Sequence, residues 1–130
     1  PVPAGVEGQS FFPMARGEAS PWRSYLHGEH TMRGQSLQYV TDGHEKYIWF
    51  SGSGREQLFN LDDDPQELHD LASVSSTSER LAHWHHILIQ ELAGREEGYT
   101  DGEQLFAGRL VNACLSSLRQ DVSIDAGEPV

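Results

Sequence analysis

Seven histidines, one cysteine and a run of three aspartates are the residues of this 130-residue chain best suited to chemistry. His27 and His30 stand three apart within Trp22 to His30, a stretch rich in aromatic and extended-chain residues. On a strand that spacing sends them to opposite faces, so they cannot chelate one ion without a bulge. His83 and His86 stand three apart in a helical pattern, with His85 turned elsewhere. They supply two ligands where a zinc site needs three or four. Cys114 lies in the apolar run Leu110-Val111-Asn112-Ala113-Cys114-Leu115, with no histidine beside it, and reads as a buried structural thiol. Asp62-Asp63-Asp64 precede Pro65, which is strong turn chemistry. A calcium loop would instead space its oxygen ligands at alternate positions and end in a bidentate glutamate. No phosphate loop, nucleophile elbow, HExxH or dinucleotide fingerprint occurs. The residues themselves thus define no catalytic and no metal-binding set.

Lys and Arg number 9 against 20 Asp and Glu, a formal charge of −11. That balance argues against a nucleic-acid backbone or an anionic membrane as partner, since both need clustered cations. No apolar run approaches the roughly 18 residues of a membrane span, and no secretory signal is visible. One cysteine excludes an internal disulfide and leaves the compartment open. The opening Pro1-Val2-Pro3-Ala4-Gly5, without methionine, suggests a piece of a longer protein.

The elements that must carry these residues follow from pattern. Residues 1–21 hold four of the six prolines and read as an arm or linker. Strands are expected at Trp22 to His30, Ser36 to Thr41, Lys46 to Phe50 and Gln57 to Leu61. Asp42-Gly43 is the dipeptide preferred by two-residue hairpins, which would set Thr41 opposite His44, Tyr39 opposite Lys46 and Leu37 opposite Ile48. One face of that pair carries Leu37, Tyr39, Ile48 and Phe50; the other carries Val40, Tyr47 and Trp49. Both are apolar, whereas an antiparallel sheet commonly keeps one wet face. A helix is expected over Ser78 to Ala93, with Ser76 and Glu79 at capping-box spacing, Gly94 as its stop, and a stripe of Leu81, Trp84, Leu88 and Leu92 widened by Ile87. One helix covers one face only. Gln104 to Ala107 reads as a short strand, and residues 120–130 as a frayed tail. The fold class is α+β: a four-stranded antiparallel sheet with one main amphipathic helix on one face, an irregular amino-terminal arm and a carboxyl-terminal tail.

The stretch Tyr39-Val40-Thr41-Asp42-Gly43-His44-Glu45-Lys46-Tyr47-Ile48-Trp49-Phe50 resembles the strand pair near the carboxyl end of bacterial arylsulfatases. Residues 57–72, Gln57-Leu58-Phe59-Asn60-Leu61-Asp62-Asp63-Asp64-Pro65 through Glu67 to Leu71-Ala72, are similar to the LF-DL-x-x-DP-x-E-x-x-x-LA signature that follows it. Upstream, Val6 to Gly17 resembles the segment where the large domain hands over to the small one, and Trp22 to His30 fits the next strand. Downstream, Gly98 to Gly102 and Ala107 to Arg119 are similar to the family's tail. The order is preserved over nearly the whole chain.

The resemblance implies the carboxyl-terminal subdomain of a type I sulfatase over residues 22–119, packed in the parent on its amino-terminal catalytic domain. In that family a formylglycine made in a C-x-P/A/S-x-R motif, with a divalent cation, usually calcium, hydrolyses sulfate esters of small molecules or glycans. Cys114-Leu115-Ser116-Ser117-Leu118 has Leu where that motif requires Arg, so no catalytic or metal residue carries over. Calcium and formylglycine are expected in the parent, in the bacterial cytoplasm or periplasm. Arg23, His27, Glu29 and His30 are the candidates for the border of a substrate cleft. The alternatives are a free-standing acidic binding or dimerisation module using the spare sheet face, and the same subdomain of a phosphonate or phosphate monoester hydrolase.

Overall fold

The β-branched and aromatic segments pair in chain order. A computed structural model describes residues 8, 10–18, 23–32 and 35–109. Strands β1 (Leu26–Met32), β2 (Gln35–Thr41), β3 (Glu45–Phe50) and β4 (Glu56–Asn60) form one antiparallel sheet in the order β1-β2-β3-β4. A one-turn helix α1 (Phe12–Ala15) precedes the sheet; a 3-10 turn (Ser75–Thr77) and helix α2 (Ser78–Leu92) follow it. The α+β class, the four strands and the single main helix are those expected. Val111 to Leu118, Cys114 and the tail lie outside the described residues.

Four expectations need correcting in detail. β1 begins at Leu26, which pairs with Thr41 at the end of β2, so residues 23–25 precede the strand; Trp22 lies outside the described residues. The hairpin register is two residues away from the two-residue turn: Thr41 pairs with Lys46, Tyr39 with Ile48 and Leu37 with Phe50. The cause is local. Asp42 Oδ1 accepts the amides of His44 and Glu45 at 2.8 Å each, and the Thr41 hydroxyl donates to the Glu45 carbonyl at 2.6 Å, so side chains satisfy a wider loop. Ser76 does not cap α2. Thr77 occupies the cap position with no side-chain cap bond, and its hydroxyl donates instead to the carbonyls of Leu71 and Val74 at 2.7 and 2.8 Å. The expected strand at Gln104 to Ala107 is a single bridge between Thr100 and Leu105. Gly94 does take the left-handed conformation, φ 75°, that ends the helix.

The loop analysis yields a first prediction. Asp42→Ala leaves two loop amides to water and should cost about 1 kcal/mol, read as a small drop in urea midpoint; an unchanged midpoint would show that the Asp42 bonds do not set this loop.

A shift of two leaves the faces unchanged. Val40, Tyr47, Trp49 and Leu58 point to α2 and bury against Trp84, Leu88 and Leu92, with Tyr99 closing the end. Trp49 and Tyr99 meet edge to face at 5.4 Å. On the other face, Ile48 and Phe59 are buried among their neighbours, Leu37, Tyr39 and Phe50 are half-buried, and Leu26 and Met32 of β1 are exposed. Lys46 lies on this face, its Nζ 2.9 Å from the Glu67 carboxylate and 5.2 Å above the Tyr39 ring. Gly28 sits opposite Tyr39, whose ring occupies the space a Cβ would need, only 2.3 Å away.

Candidate functional site

The candidate residues of β1 divide between the two faces. His27 pairs with Val40 and Glu29 with Gln38, which places both on the helix side; His30 pairs with Leu37 on the open side. On the open side, an apolar groove of about 380 Å³ is lined by His30, Met32, Gln35, Leu37, Phe50 and Gly52, among others.

On the helix side the polar residues are linked. His27 Nε2 lies 2.7 Å from Gln38 Oε1, and the Gln38 amide donates to Ser36 Oγ at 2.6 Å and Glu29 Oε2 at 3.3 Å. Arg95, just past the helix, reaches Glu29 at 2.8 Å and Glu97 at 2.9 Å. Despite its partial burial, the carboxylates of Glu97 and Glu29 hold the guanidinium above its ordinary range. Glu91 of α2 completes the group: its Oε2 accepts the Tyr25 hydroxyl at 3.0 Å and its Oε1 lies 3.8 Å from His27 Nδ1. Burial first, and then the Glu91 carboxylate, push the Tyr25 hydroxyl above its usual pKa. A cavity of about 400 Å³ opens here, lined by Arg23, Ser24, Tyr25, His27 and Glu91. Three of the four expected residues, Arg23, His27 and Glu29, therefore belong to this helix-side region, and His30 does not.

A second polar group went unread in the sequence. Glu56 Oε1 accepts the hydroxyl of the fully buried Tyr47 at 2.5 Å and lies 2.5 Å from His85 Nδ1. The bond to His85, with help from Tyr47, holds the Glu56 carboxyl below its ordinary value against the opposing effect of burial. Burial and Glu56 together push the Tyr47 hydroxyl far above its own. Both missed residues on α2 had a faint signal: His85 is four after Leu81 and Glu91 three after Leu88, so each flanks the apolar stripe.

Among the described residues no three His, Cys, Asp or Glu side chains converge as a metal site. The tri-aspartate run serves the turn: Asp64 Oδ2 accepts the His69 amide at 2.7 Å, Asp62 pairs with the His44 ring at 3.0 Å, and Asp63 takes the Asn60 amide at 2.7 Å.

This geometry, a meander sheet sealed by one helix on one face and half-open on the other, is shared with known proteins. No family model matches the chain. It is 44% identical over 107 residues to an arylsulfatase of Clostridium perfringens (strain 13 / Type A), a match covering 82% of the chain and 22% of that relative. A solved 2-O GAG sulfatase superposes with a TM-score of 0.68 at 25% identity, over 82% of this chain and 24% of that one. A structure solved in complex with its substrate, D-glucosamine-2-N, 6-O-disulfate, shares the fold with a TM-score of 0.63 at 14% identity, over 71% and 20%. The chain is a sulfatase homologue. It spans about a fifth of the curated relative's length, in keeping with the carboxyl-terminal subdomain.

Proposed function

We propose that this chain completes a sulfuric ester hydrolase: its open sheet face packs on the catalytic part of the same protein, and its helix-side polar cluster borders the substrate cleft. The observation that carries the reading is the asymmetry of the sheet. One face is sealed by α2, while Leu37, Tyr39 and Phe50 are half-buried and Leu26 and Met32 are open on the other. Apolar area left in water on one side of a layer is stabilised by a covering body. The nucleophile, a formylglycine, and the calcium ion belong in this reading to the remainder of the parent, and residues 1–21 to the link between the parts. Arg23, His27 and Glu29 meet the substrate, a sulfated small molecule or glycan, and His30 lies at the packing side.

The test is made on the full-length parent. It should hydrolyse an aryl sulfate, and the 130-residue chain alone, with added calcium, should not. Phe50→Asp, which puts a charge into the proposed contact, should lower the parent's activity or its yield of folded protein about tenfold or more. Turnover by the isolated chain, or a parent indifferent to Phe50→Asp, overturns the reading. The same apolar face also suits a free-standing dimerisation module, which sedimentation separates: a discrete stable oligomer of the isolated chain favours the module, and a monomer that binds hydrophobic dye favours the subdomain. A parent that prefers phosphate or phosphonate monoesters would change the ester and keep the architecture.

A further inference from the structure

We propose that the outer edge of β1 pairs with an extended segment from the remainder of the parent protein, so that the four-stranded sheet continues past this chain. The inference rests on the packing proposed above and starts from the direction of backbone groups. Just past β3, the Ser51 amide donates to the Ser36 carbonyl at 2.8 Å, and the Ser36 amide donates to Ser51 Oγ at 2.8 Å. Ser36 therefore turns its backbone groups to the β3 side. Along an antiparallel strand the side served alternates residue by residue, so Gln35, Leu37, Tyr39 and Thr41 turn theirs to β1. Their partners there are Met32, His30, Gly28 and Leu26. The backbone groups of His27, Glu29 and Thr31 are left pointing away from the sheet.

The two edges of the sheet are treated differently. β4 is closed from within: Leu58 gives its amide to Asp70 Oδ1 at 3.2 Å and takes the Leu71 amide on its carbonyl at 2.8 Å, and the Asn60 carbonyl takes the Asp64 amide at 2.9 Å. On β1, the outward groups of His27, Glu29 and Thr31 have no backbone partner among the described residues. The strand also lacks the usual guards of an edge. It holds no proline and no lysine, and its pairing with β2 runs through all of Leu26–Met32 without a bulge. At its two ends the open face shows apolar side chains, Leu26 at 46% and Met32 at 63% exposure. A row of amides and carbonyls between two apolar side chains is the surface that strand addition uses.

Charge chooses the occupant. A second copy using the whole edge would pair about Glu29 and set that carboxylate against its twin, between chains of −11 each. Arg95 does not cancel this, since it is shared between Glu29 and Glu97. A segment of the parent meets no such conflict. This chain covers 22% of its curated relative, and a body covering the open face reaches the β1 border at Leu26 and Met32. That segment places apolar residues beside Leu26 and Met32 and no acid beside Glu29.

Amide hydrogen exchange tests it, comparing the 130-residue chain with the full-length parent at one pH. In the chain alone the amides of His27, Glu29 and Thr31 should exchange freely, while those of Gly28 and His30 are protected by β2. In the parent His27, Glu29 and Thr31 should slow by about a hundredfold. Thr31→Pro sharpens the reading, because it removes an outward N–H and no bond to β2. The variant chain should keep its fold, whereas the variant parent should lose the protection of His27 and Glu29. Equal exchange in chain and parent, a Thr31→Pro parent protected as before, or a chain in which Gly28 and His30 are the fast amides would each overturn the proposal. Protection that grows with the concentration of the isolated chain would name a second copy and overturn it too. If the proline variant fails to fold, the comparison of unaltered chain and parent still decides. A parent that hydrolyses an aryl sulfate with these amides unprotected refutes the edge pairing alone and leaves the proposed function standing.

Discussion

Trp49→Ala is expected to remove about 3–5 kcal/mol of stability, a large part of the 5–15 kcal/mol typical of a domain. Trp49 is among the largest of the fully buried side chains, 2% exposed, at the centre of β3. It belongs to the cluster that joins three strands to α2, and its ring carries the edge of Tyr99. Truncation to Cβ therefore loses the transfer free energy of the indole, opens a cavity between sheet and helix, and strips Tyr99 of its aromatic partner. Urea unfolding measures it: with a slope of about 1–3 kcal/mol per molar, the midpoint should fall by 1 M or more. A loss below about 1 kcal/mol would mean that α2 does not seal this face.

The second large effect centres on Glu56. Its carboxylate oxygen takes both the Tyr47 hydroxyl and the His85 ring, and so ties β3, β4 and α2 together. Glu56→Ala should cost about 2 kcal/mol, because the buried hydroxyl then keeps only the longer contact to His85 at 3.2 Å. Tyr47→Phe removes the stranded donor, so the double variant should be less damaged than the sum of the singles. Strict additivity would refute the coupling. The pH dependence has a definite sign. The folded-state pKa of Glu56 lies below its ordinary value of 4.5, so the ionised form is favoured by folding. That contribution is present in full above pH 4.5 and is lost as the pH falls through the lower folded value. The stability difference between the parent chain and Glu56→Gln should shrink on acidification below that point, and a constant difference would refute the assignment.

Much of the fold was legible because period decides it. The alternation in Ser36 to Thr41 and Lys46 to Phe50 separated the two faces correctly, and the stripe Leu81, Trp84, Leu88, Leu92 located α2 within a residue of its ends. The hairpin register was not legible from Asp42-Gly43 alone, since the Asp42 side chain competes with the backbone for the loop amides. The candidate site was legible by half. His27 and Glu29 could be placed on one face and His30 on the other by parity, but Glu91 is 66 residues from Tyr25, and His85 is 29 from Glu56. Contacts at that separation exist only once helix and sheet dock, and local pattern carries no record of them.

The hairpin between β2 and β3 has an evolutionary corollary. Its loop sits two residues away from the tightest alternative while Tyr47 and Trp49 still point inward. Inside–outside sorting there obeys parity. A one-residue slip of this pairing would rotate Lys46 and Ile48 into the helix-facing layer, so a change of loop length is tolerated only where the loop itself absorbs it and the register is kept.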